Sequence, residues 1–155
     1  MKTQILSTEV LGCTEVEIHY KRPLFNTMKY IKCADDVYHL LLEFTDTKRI
    51  DYKEFFWVMM LNNANRVLGI SEIAVGTSSH VNVDVKEICQ LALLTDSTSI
   101  LILHNHPSGT LKPSEADTKI TKKIKKALKL FDISLLDHII ITSEKYYSFA
   151  EENTL

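Results

Sequence analysis

The sequence lacks several features that would assign it to a protein class at once. Its 155 residues carry a formal net charge of -2, which gives no overall attraction to nucleic acid. Its three cysteines, Cys13, Cys33 and Cys89, are far apart and form no C-x-x-C pair, so neither a disulfide framework nor a thiolate metal site is expected. No apolar run is long enough to span a bilayer, and the first residues do not resemble a signal peptide. These absences favour a cytoplasmic protein of ordinary globular composition, with no membrane partner.

Strand patterns and helix patterns alternate along the chain, without a repeat or a low-complexity segment. Alternation of apolar and polar residues predicts a strand over 14–20, in which His19 points outward. Two runs flanking "NNANR" predict a hairpin. The hairpin strands cover residues 54–61 and 67–77. The remaining predicted strands cover residues 99–103, 135–142 and 146–150. Interleaved strands and helices predict a single α/β domain over residues 1–155, with residues 1–34 as an N-terminal extension packed on it.

Three amphipathic helices are predicted from apolar residues at helical spacing. The first follows "CADD" and ends near Thr45, the second starts at Asp84, and the third runs from Ser114 to about Leu130. Their predicted inward residues are Val37, Leu40, Leu41 and Phe44, then Val85, Ile88, Cys89, Ala92 and Leu93, then Ala116, Ile120, Ile124, Ala127 and Leu128. These helices are expected to cover the sheet.

Two histidines stand at the end of the apolar run in "ILILHNHPSG". Residues two apart on a strand point to the same side, so His104 and His106 share a face while Asn105 points away from them. Pro107 and Gly109 then turn the chain out of the strand. Buried imidazoles need partners for their ring nitrogens, and two of them on one face can bind a single ion.

A carboxylate is brought back to the same place by the helix that follows. Pro113 and Ser114 mark a helix N-terminus, and Asp117 lies in its first turn. Two imidazoles and one carboxylate leave a position for water, which is the pattern of catalytic zinc. Separately, each residue has an explanation without metal, because Asp117 and Ser114 fit a capping box and a core histidine can bond to backbone carbonyls. Their joint placement favours a metal site.

The spacing H-x-H, ten residues and then D, with S-x-x-D at its end, resembles the JAMM motif of the JAB/MPN metalloprotease fold. The segments "HNHPSG" and "LLDHII" are similar to the bacterial RadC branch, and the similarity covers roughly residues 35–150. The resemblance implies a mixed sheet with flanking helices, of the cytidine-deaminase-like type. It implies that His104, His106 and Asp117 bind Zn²⁺ and that Ser114 supports the oxyanion. Asn105 stands where many isopeptidases of this fold have Ser or Thr, as it does in the RadC branch.

The resemblance also implies an activity, namely zinc-dependent hydrolysis of a peptide or isopeptide bond in a peptide or protein substrate. A glutamate would act as general base towards a metal-bound water. The family's glutamate lies just before the first hairpin strand, which matches Glu54, and Glu72 is the rival because its strand could border the site. Longer RadC-like proteins carry a helix-hairpin-helix segment of the DNA-binding kind. The sequence of residues 1–34 does not show the pattern of such a pair of helices, so we expect an association with DNA repair to transfer poorly.

Parts of the same pattern occur in other classes of protein. The letters H-N-H do not indicate an HNH nuclease, whose residues are dispersed over a ββα unit, and the iron oxygenases with two histidines and a carboxylate usually have all-β barrels. The remaining alternative is a nucleic-acid-associated accessory module with a structural or vestigial zinc site. Its weak contact would use the lysines along the third helix, Lys119, Lys122, Lys123, Lys125, Lys126 and Lys129. A solvated helix face explains the same lysines, and the oligomeric state stays open.

Overall fold

The computed structural model describes residues 16–78 and 81–155, and its centre is one mixed sheet of five strands. The strands are β1 (Phe55–Leu61), β2 (Val67–Val75), β3 (Ser99–Asn105), β4 (Ser134–Ile141) and β5 (Tyr146–Ser148). Their order across the sheet is β2-β1-β3-β4-β5. Strands β3 and β4 are parallel, and the other neighbouring pairs are antiparallel. The predicted mixed sheet, its hairpin and the strand before the two histidines are confirmed.

Three helices flank the sheet, and their boundaries follow from capping residues. They are α1 (Ala34–Phe44), α2 (Val85–Leu94) and α3 (Glu115–Lys129). Asp84 caps α2 by accepting a hydrogen bond from the Lys86 backbone N–H, which satisfies one of the amide groups left free at a helix start. The predicted α/β fold with flanking helices is confirmed. Helices α2 and α3 begin one residue after their predicted starts, and α1 begins at Ala34, inside the "CADD" segment that it was predicted to follow.

The helices divide the core into two layers, one on each face of the sheet. Helix α1 packs on one face, where Val37 and Leu41 lie among buried residues that include Trp57. Helices α2 and α3 pack on the other face, where Ile88 and Ile124 contact the layer. All seven residues of β1 and all seven of β3 are buried, because these central strands are covered on both sides. Fully burying an aliphatic or aromatic side chain contributes about 1.5–3 kcal/mol.

Strand register decides which residues meet at one edge of the sheet. Strand β3 ends where the antiparallel strand β1 begins, and the pairing places His104 opposite Phe56. The parallel pairing with β4 places His138 opposite Ile102, so His138 and His104 lie on the same face, that of α2 and α3. Helix α3 connects β3 to β4, and its N-terminus therefore returns to the end of β3. A strand end, a strand start and a helix start converge here.

Several local predictions are wrong. Residues 16–20 form no strand, although alternation predicted one over 14–20, and Val16 and Ile18 are 89% and 77% exposed. Residues 14 and 15 lie outside the described residues. Phe44 and Leu93, both 50% exposed, and the exposed Ala116 were predicted to face inward. These three lie in the first or last turn of their helices, where one side of the helix meets solvent.

Residues before α1 contact the start of β2. The Tyr20 hydroxyl donates to the Leu68 carbonyl at 2.8 Å, and the Val67 N–H donates to the Lys29 carbonyl at 2.9 Å. Met28 is buried in the layer beneath α2 and α3. Residues 1–15 lie outside the described residues, so a packed extension over 1–34 stays a prediction. Within the described part of the chain, no helix combines the length and the apolar character needed to cross a lipid bilayer.

Candidate metal centre

The three predicted ligands lie together at the end of β3. The Nε2 atoms of His104 and His106 are 2.9 Å apart. The Asp117 carboxylate places Oδ1 at 3.2 Å from His104 Nε2 and Oδ2 at 3.6 Å from His106 Nε2. His104 is buried, and His106 and Asp117 are largely shielded. The pattern H-x-H followed by D therefore corresponds to a compact group of two nitrogens and one carboxylate.

A turn and a helix cap produce this arrangement locally. Gly109 adopts a positive φ of 78°, a conformation that glycine takes without steric penalty, and its N–H donates to the His106 carbonyl at 3.0 Å. The Ser114 N–H and hydroxyl both donate to Asp117 Oδ2 at 2.7 Å, and the Asp117 N–H donates to Ser114 Oγ at 3.1 Å. Asp117 therefore forms the capping box and still directs Oδ1 at His104, so the two interpretations coexist.

The hydroxyl proton of Ser114 is engaged with Asp117. In this position Ser114 holds the ligand carboxylate, and it lines the cleft beside the three ligands. A hydrogen bond from this hydroxyl to an oxyanion would require it to release Asp117. The oxyanion role of Ser114 stays a prediction.

The Asp117 carboxylate is ionised and faces the two imidazoles. Burial alone would raise the pKa of Asp117, but the neighbouring imidazoles of His104 and His106 outweigh it and hold that pKa well below its usual range. Burial opposes a charge on His106, yet Asp117 and the Thr110 carbonyl leave its pKa above the ordinary value. The His106 Nδ1 lies 2.6 Å from the Thr110 carbonyl oxygen, which can only accept, so Nδ1 carries the proton and neutral His106 presents a lone pair at Nε2.

The donor set fits a zinc ion. With bonds of about 2.0–2.1 Å, the ligand atoms of a tetrahedral zinc lie about 3.3 Å apart. The two Nε2 atoms are 2.9 Å apart, His104 Nε2 lies 3.2 Å from Asp117 Oδ1, and His106 Nε2 lies 3.6 Å from the other carboxylate oxygen, Oδ2. Two imidazole nitrogens and one carboxylate oxygen are also ligands that zinc accepts. The assignment of His104, His106 and Asp117 as the ligands stays a prediction, and the structure also places Glu54 with the two histidines in a group that could hold a metal ion.

Glu54 lies beside this group, and Glu72 lies elsewhere. Glu54 is buried, and one of its carboxylate oxygens lies within 4.8 Å of a ring nitrogen of both His104 and His106. It lines the same cleft, which encloses about 530 Å³. Glu72 is exposed and is not among the described residues that line this cleft. It lies opposite Trp57 in the pairing of β1 with β2, and the Trp57 side chain packs beneath α1. Glu72 therefore lies on the face of the sheet away from the two histidines. The structure thus brings Glu54, and not Glu72, to the ligands.

Asn105 fixes the backbone that carries Glu54, a role that the sequence analysis missed. It is fully buried on the α1 side of the sheet. Its Nδ2 donates to the carbonyls of Ile50 and Lys53 at 2.6 and 2.7 Å, and its Oδ1 accepts the Phe55 N–H at 2.7 Å. The Glu54 backbone is further held by the Thr77 carbonyl and the Gly76 N–H, both at 2.8 Å. The residue between the two histidines therefore holds the residues on either side of Glu54.

His138 is the second residue that the sequence analysis missed. It is fully buried in β4, and its Nε2 lies 2.8 Å from Nδ1 of His104. Its own Nδ1 lies 2.6 Å from Oγ1 of Thr121. A signal for it was present, because a histidine inside "LLDHIIIT" is a buried polar residue in an apolar run, as His104 is.

The lysines of α3 all point to solvent. Lys119, Lys122, Lys123, Lys125, Lys126 and Lys129 are exposed. Lys119 pairs with Glu115 at 3.6 Å, and Lys125 donates to the Leu155 carbonyl at 3.3 Å. Such contacts at the surface contribute little to stability, and the six side chains form an exposed basic face on α3.

Comparison with known proteins gives one consistent result. A family model described as a RadC-like JAB domain matches residues 31–154. A UPF0758 protein of Flavobacterium johnsoniae is 48% identical over 99 residues, covering 64% of this chain and 43% of that protein. A UPF0758 protein of Chlorobium phaeovibrioides is 36% identical over 138 residues, covering 89% of this chain and 59% of that protein. The chain thus spans about half the length of these curated relatives.

Proposed function

This chain belongs to the RadC-like JAB domain family, and from that premise we propose that it is a zinc-dependent hydrolase of peptide or isopeptide bonds. The observation that carries the proposal is the convergence of His104, His106 and Asp117 in one cleft with the carboxylate of Glu54. Two nitrogens and one carboxylate leave room for substrate at a tetrahedral ion, which is typical of catalytic sites rather than structural ones. A reducing, cytoplasmic setting is part of the proposal, because Cys33 and Cys89 are free thiols.

Each residue then has a defined task. When bound, zinc supplies a Lewis acid that polarises a scissile carbonyl and acidifies a water molecule. His104, His106 and Asp117 hold it, and Ser114 keeps the Asp117 carboxylate oriented through Oδ2. Glu54 takes the proton from the attacking water and passes it to the leaving amine. Because Glu54 is buried, few bulk water molecules reach its carboxylate. The proton can then pass directly from the attacking water to Glu54.

Metal analysis of purified variants tests the ligand set. We expect about one zinc per chain in the unmodified protein, and much less than one in His104→Ala and Asp117→Ala, with affinity lowered by at least about a hundredfold. The matched controls are His39→Ala and Asp35→Ala, which alter an exposed pair on α1 and should retain full zinc. Stoichiometric zinc in both ligand variants would show that the site is elsewhere. A peptidase screen, with and without a chelator, then tests the activity.

One observation favours a second candidate, a nucleic-acid-associated accessory module with a structural or vestigial zinc site. Six exposed lysines line α3, and lysines that neutralise phosphates make affinity fall steeply with salt. If this candidate is correct, DNA binding weakens between low and moderate salt and is lost when Lys122 and Lys126 are both changed to Glu. Binding isotherms at several salt concentrations measure this. The candidate is rejected if the unmodified protein does not bind DNA. It is also rejected if the charge-reversed variant binds DNA as strongly as the unmodified protein.

A further inference from the structure

A chain of hydrogen bonds runs from helix α3 through β4 to the ligand His104. Thr121 Oγ1 lies 2.5 Å from the Asp117 carbonyl oxygen and 2.6 Å from His138 Nδ1. His138 Nε2 lies 2.8 Å from His104 Nδ1. Thr121 and His138 are buried, and the His138 ring stacks on Phe149 with centroids 4.7 Å apart and planes 13° apart. The ring is therefore held in one orientation.

The carbonyl oxygen at one end of this chain sets the direction of the hydrogen bonds along it. The Asp117 carbonyl can only accept, so the Thr121 hydroxyl donates to it and must accept from His138 Nδ1–H. His138 is fully buried, where a charged ring would be costly, and its neutral ring already carries the proton on Nδ1, so Nε2 has a lone pair. That lone pair accepts from His104 Nδ1–H, and His104 Nε2 is left as an acceptor facing His106 and Asp117.

We propose that His138, supported by Thr121, is a positioning residue that fixes His104 in the tautomer and orientation needed to bind metal. The inference rests on the metal binding proposed above and adds residues that the H-x-H and D pattern does not contain. Helix α3 would then set two parts of the centre, since it supplies the ligand Asp117 and, one turn later, the hydroxyl of Thr121. A ligand histidine in a zinc site usually donates its second ring N–H to an acceptor, and loss of that acceptor typically weakens metal binding 10–100-fold.

A purely structural role for His138 predicts something different. His138 would then contribute only packing on Phe149 and satisfied hydrogen bonds, and substitutions would change stability without changing metal affinity in the folded protein. The variants are chosen to separate these roles. His138→Gln retains an acceptor where Nε2 lies, His138→Leu removes it, and Thr121→Val removes the hydroxyl that fixes the His138 tautomer.

Thr95→Val is the matched control for Thr121→Val. Both hydroxyls are buried and donate to the carbonyl four residues earlier, Thr95 to Leu91 at 2.8 Å and Thr121 to Asp117, but among the described residues only Thr121 contacts His138. The probes are Zn²⁺, whose affinity is measured by competition with a chelator, and Co²⁺, whose visible spectrum reports a tetrahedral site. We expect a loss of about 10–100-fold in His138→Leu and about tenfold in Thr121→Val. We expect near-unchanged binding in His138→Gln and Thr95→Val.

A second measurement reads the tautomer without any metal. In the metal-free protein, at a pH about two units above the ordinary histidine pKa of about 6.5, ¹⁵N spectra should show the proton of His104 on Nδ1. In Thr121→Val a fraction of His104 should move its proton to Nε2. The proposal is overturned if His104 carries its proton on Nε2 in the unmodified protein, or if Thr121→Val matches Thr95→Val in both measurements. If the unmodified protein binds neither ion, the proposed function fails, whereas the tautomer result still decides whether His138 controls His104.

Discussion

Replacing Glu54 with glutamine is expected to lower kcat by about 10²–10⁴ while the fold and the zinc content are retained. Glutamine keeps the shape of the side chain but cannot take a proton, and proton transfer by a positioned carboxylate typically contributes this factor. The Glu54 carboxylate is buried in the cleft within 4.8 Å of the ring nitrogens of His104 and His106. At that distance we expect the carboxylate to reach an attacking water through one hydrogen bond. Single-turnover kinetics, with zinc measured on the same sample, provide the test.

Glu72→Gln is the matched control, because it is the same chemical change at the rival position. Glu72 is exposed and lies beside Trp57 on the face of the sheet opposite the proposed ligands. Its substitution should therefore leave kcat within about twofold. Near-full activity of Glu54→Gln on a substrate that His104→Ala cannot cleave would contradict the assignment. Loss of zinc from Glu54→Gln would show instead that Glu54 is a ligand. Its carboxylate lies close enough to a ring nitrogen of both histidines to share an ion with them.

The elements that were predicted correctly are those in which local pattern and tertiary burial agree. Strands β1 and β3 are continuous apolar runs because helices cover both faces of the sheet, and α3 is bounded by the Ser114 cap. The strand predicted over 14–20 shows the limit of such patterns. Val16 and Ile18 alternate with charged residues, yet they are exposed and lie in no strand. Alternation is typical of a strand with one buried face, but a strand forms only where a neighbouring strand is available to pair with it.

The candidate site was predictable where its residues are close in sequence. His104, His106 and Asp117 lie within fourteen residues on one strand, one turn and one helix start, so strand periodicity and capping rules sufficed to bring them together. The partners of His104 and Asn105 were not predictable in this way. His138 is 34 residues from His104 in sequence, and Ile50 is 55 residues from Asn105. These contacts depend on strand order and register, which a pattern within a short window does not contain.

Replacing Asn105 with alanine is expected to lower the free energy of unfolding by about 3 kcal/mol or more. The substitution leaves the Phe55 N–H and the carbonyls of Ile50 and Lys53 without the partner that Asn105 provides at 2.6–2.7 Å. Each buried polar group left without a partner costs about 1–3 kcal/mol. Urea-induced unfolding, followed by the fluorescence of the single tryptophan, Trp57, which is fully buried, measures the change.

Asn62→Ala is the control, because its side chain also accepts backbone N–H bonds, from Ala64 and Arg66 at 2.9 and 3.0 Å. Asn62 lies in a partly exposed turn, where water replaces the lost acceptor, so we expect a cost of about 1 kcal/mol. Equal midpoints for Asn105→Ala and Asn62→Ala would contradict the structural role. Because Asn105 holds the residues on either side of Glu54, folded Asn105→Ala should also show faster hydrogen exchange at Phe55 and a lower kcat, with zinc content unchanged. Asn105 would then act on the proposed reaction through Glu54, from the opposite face of the strand that carries the two histidines proposed as ligands.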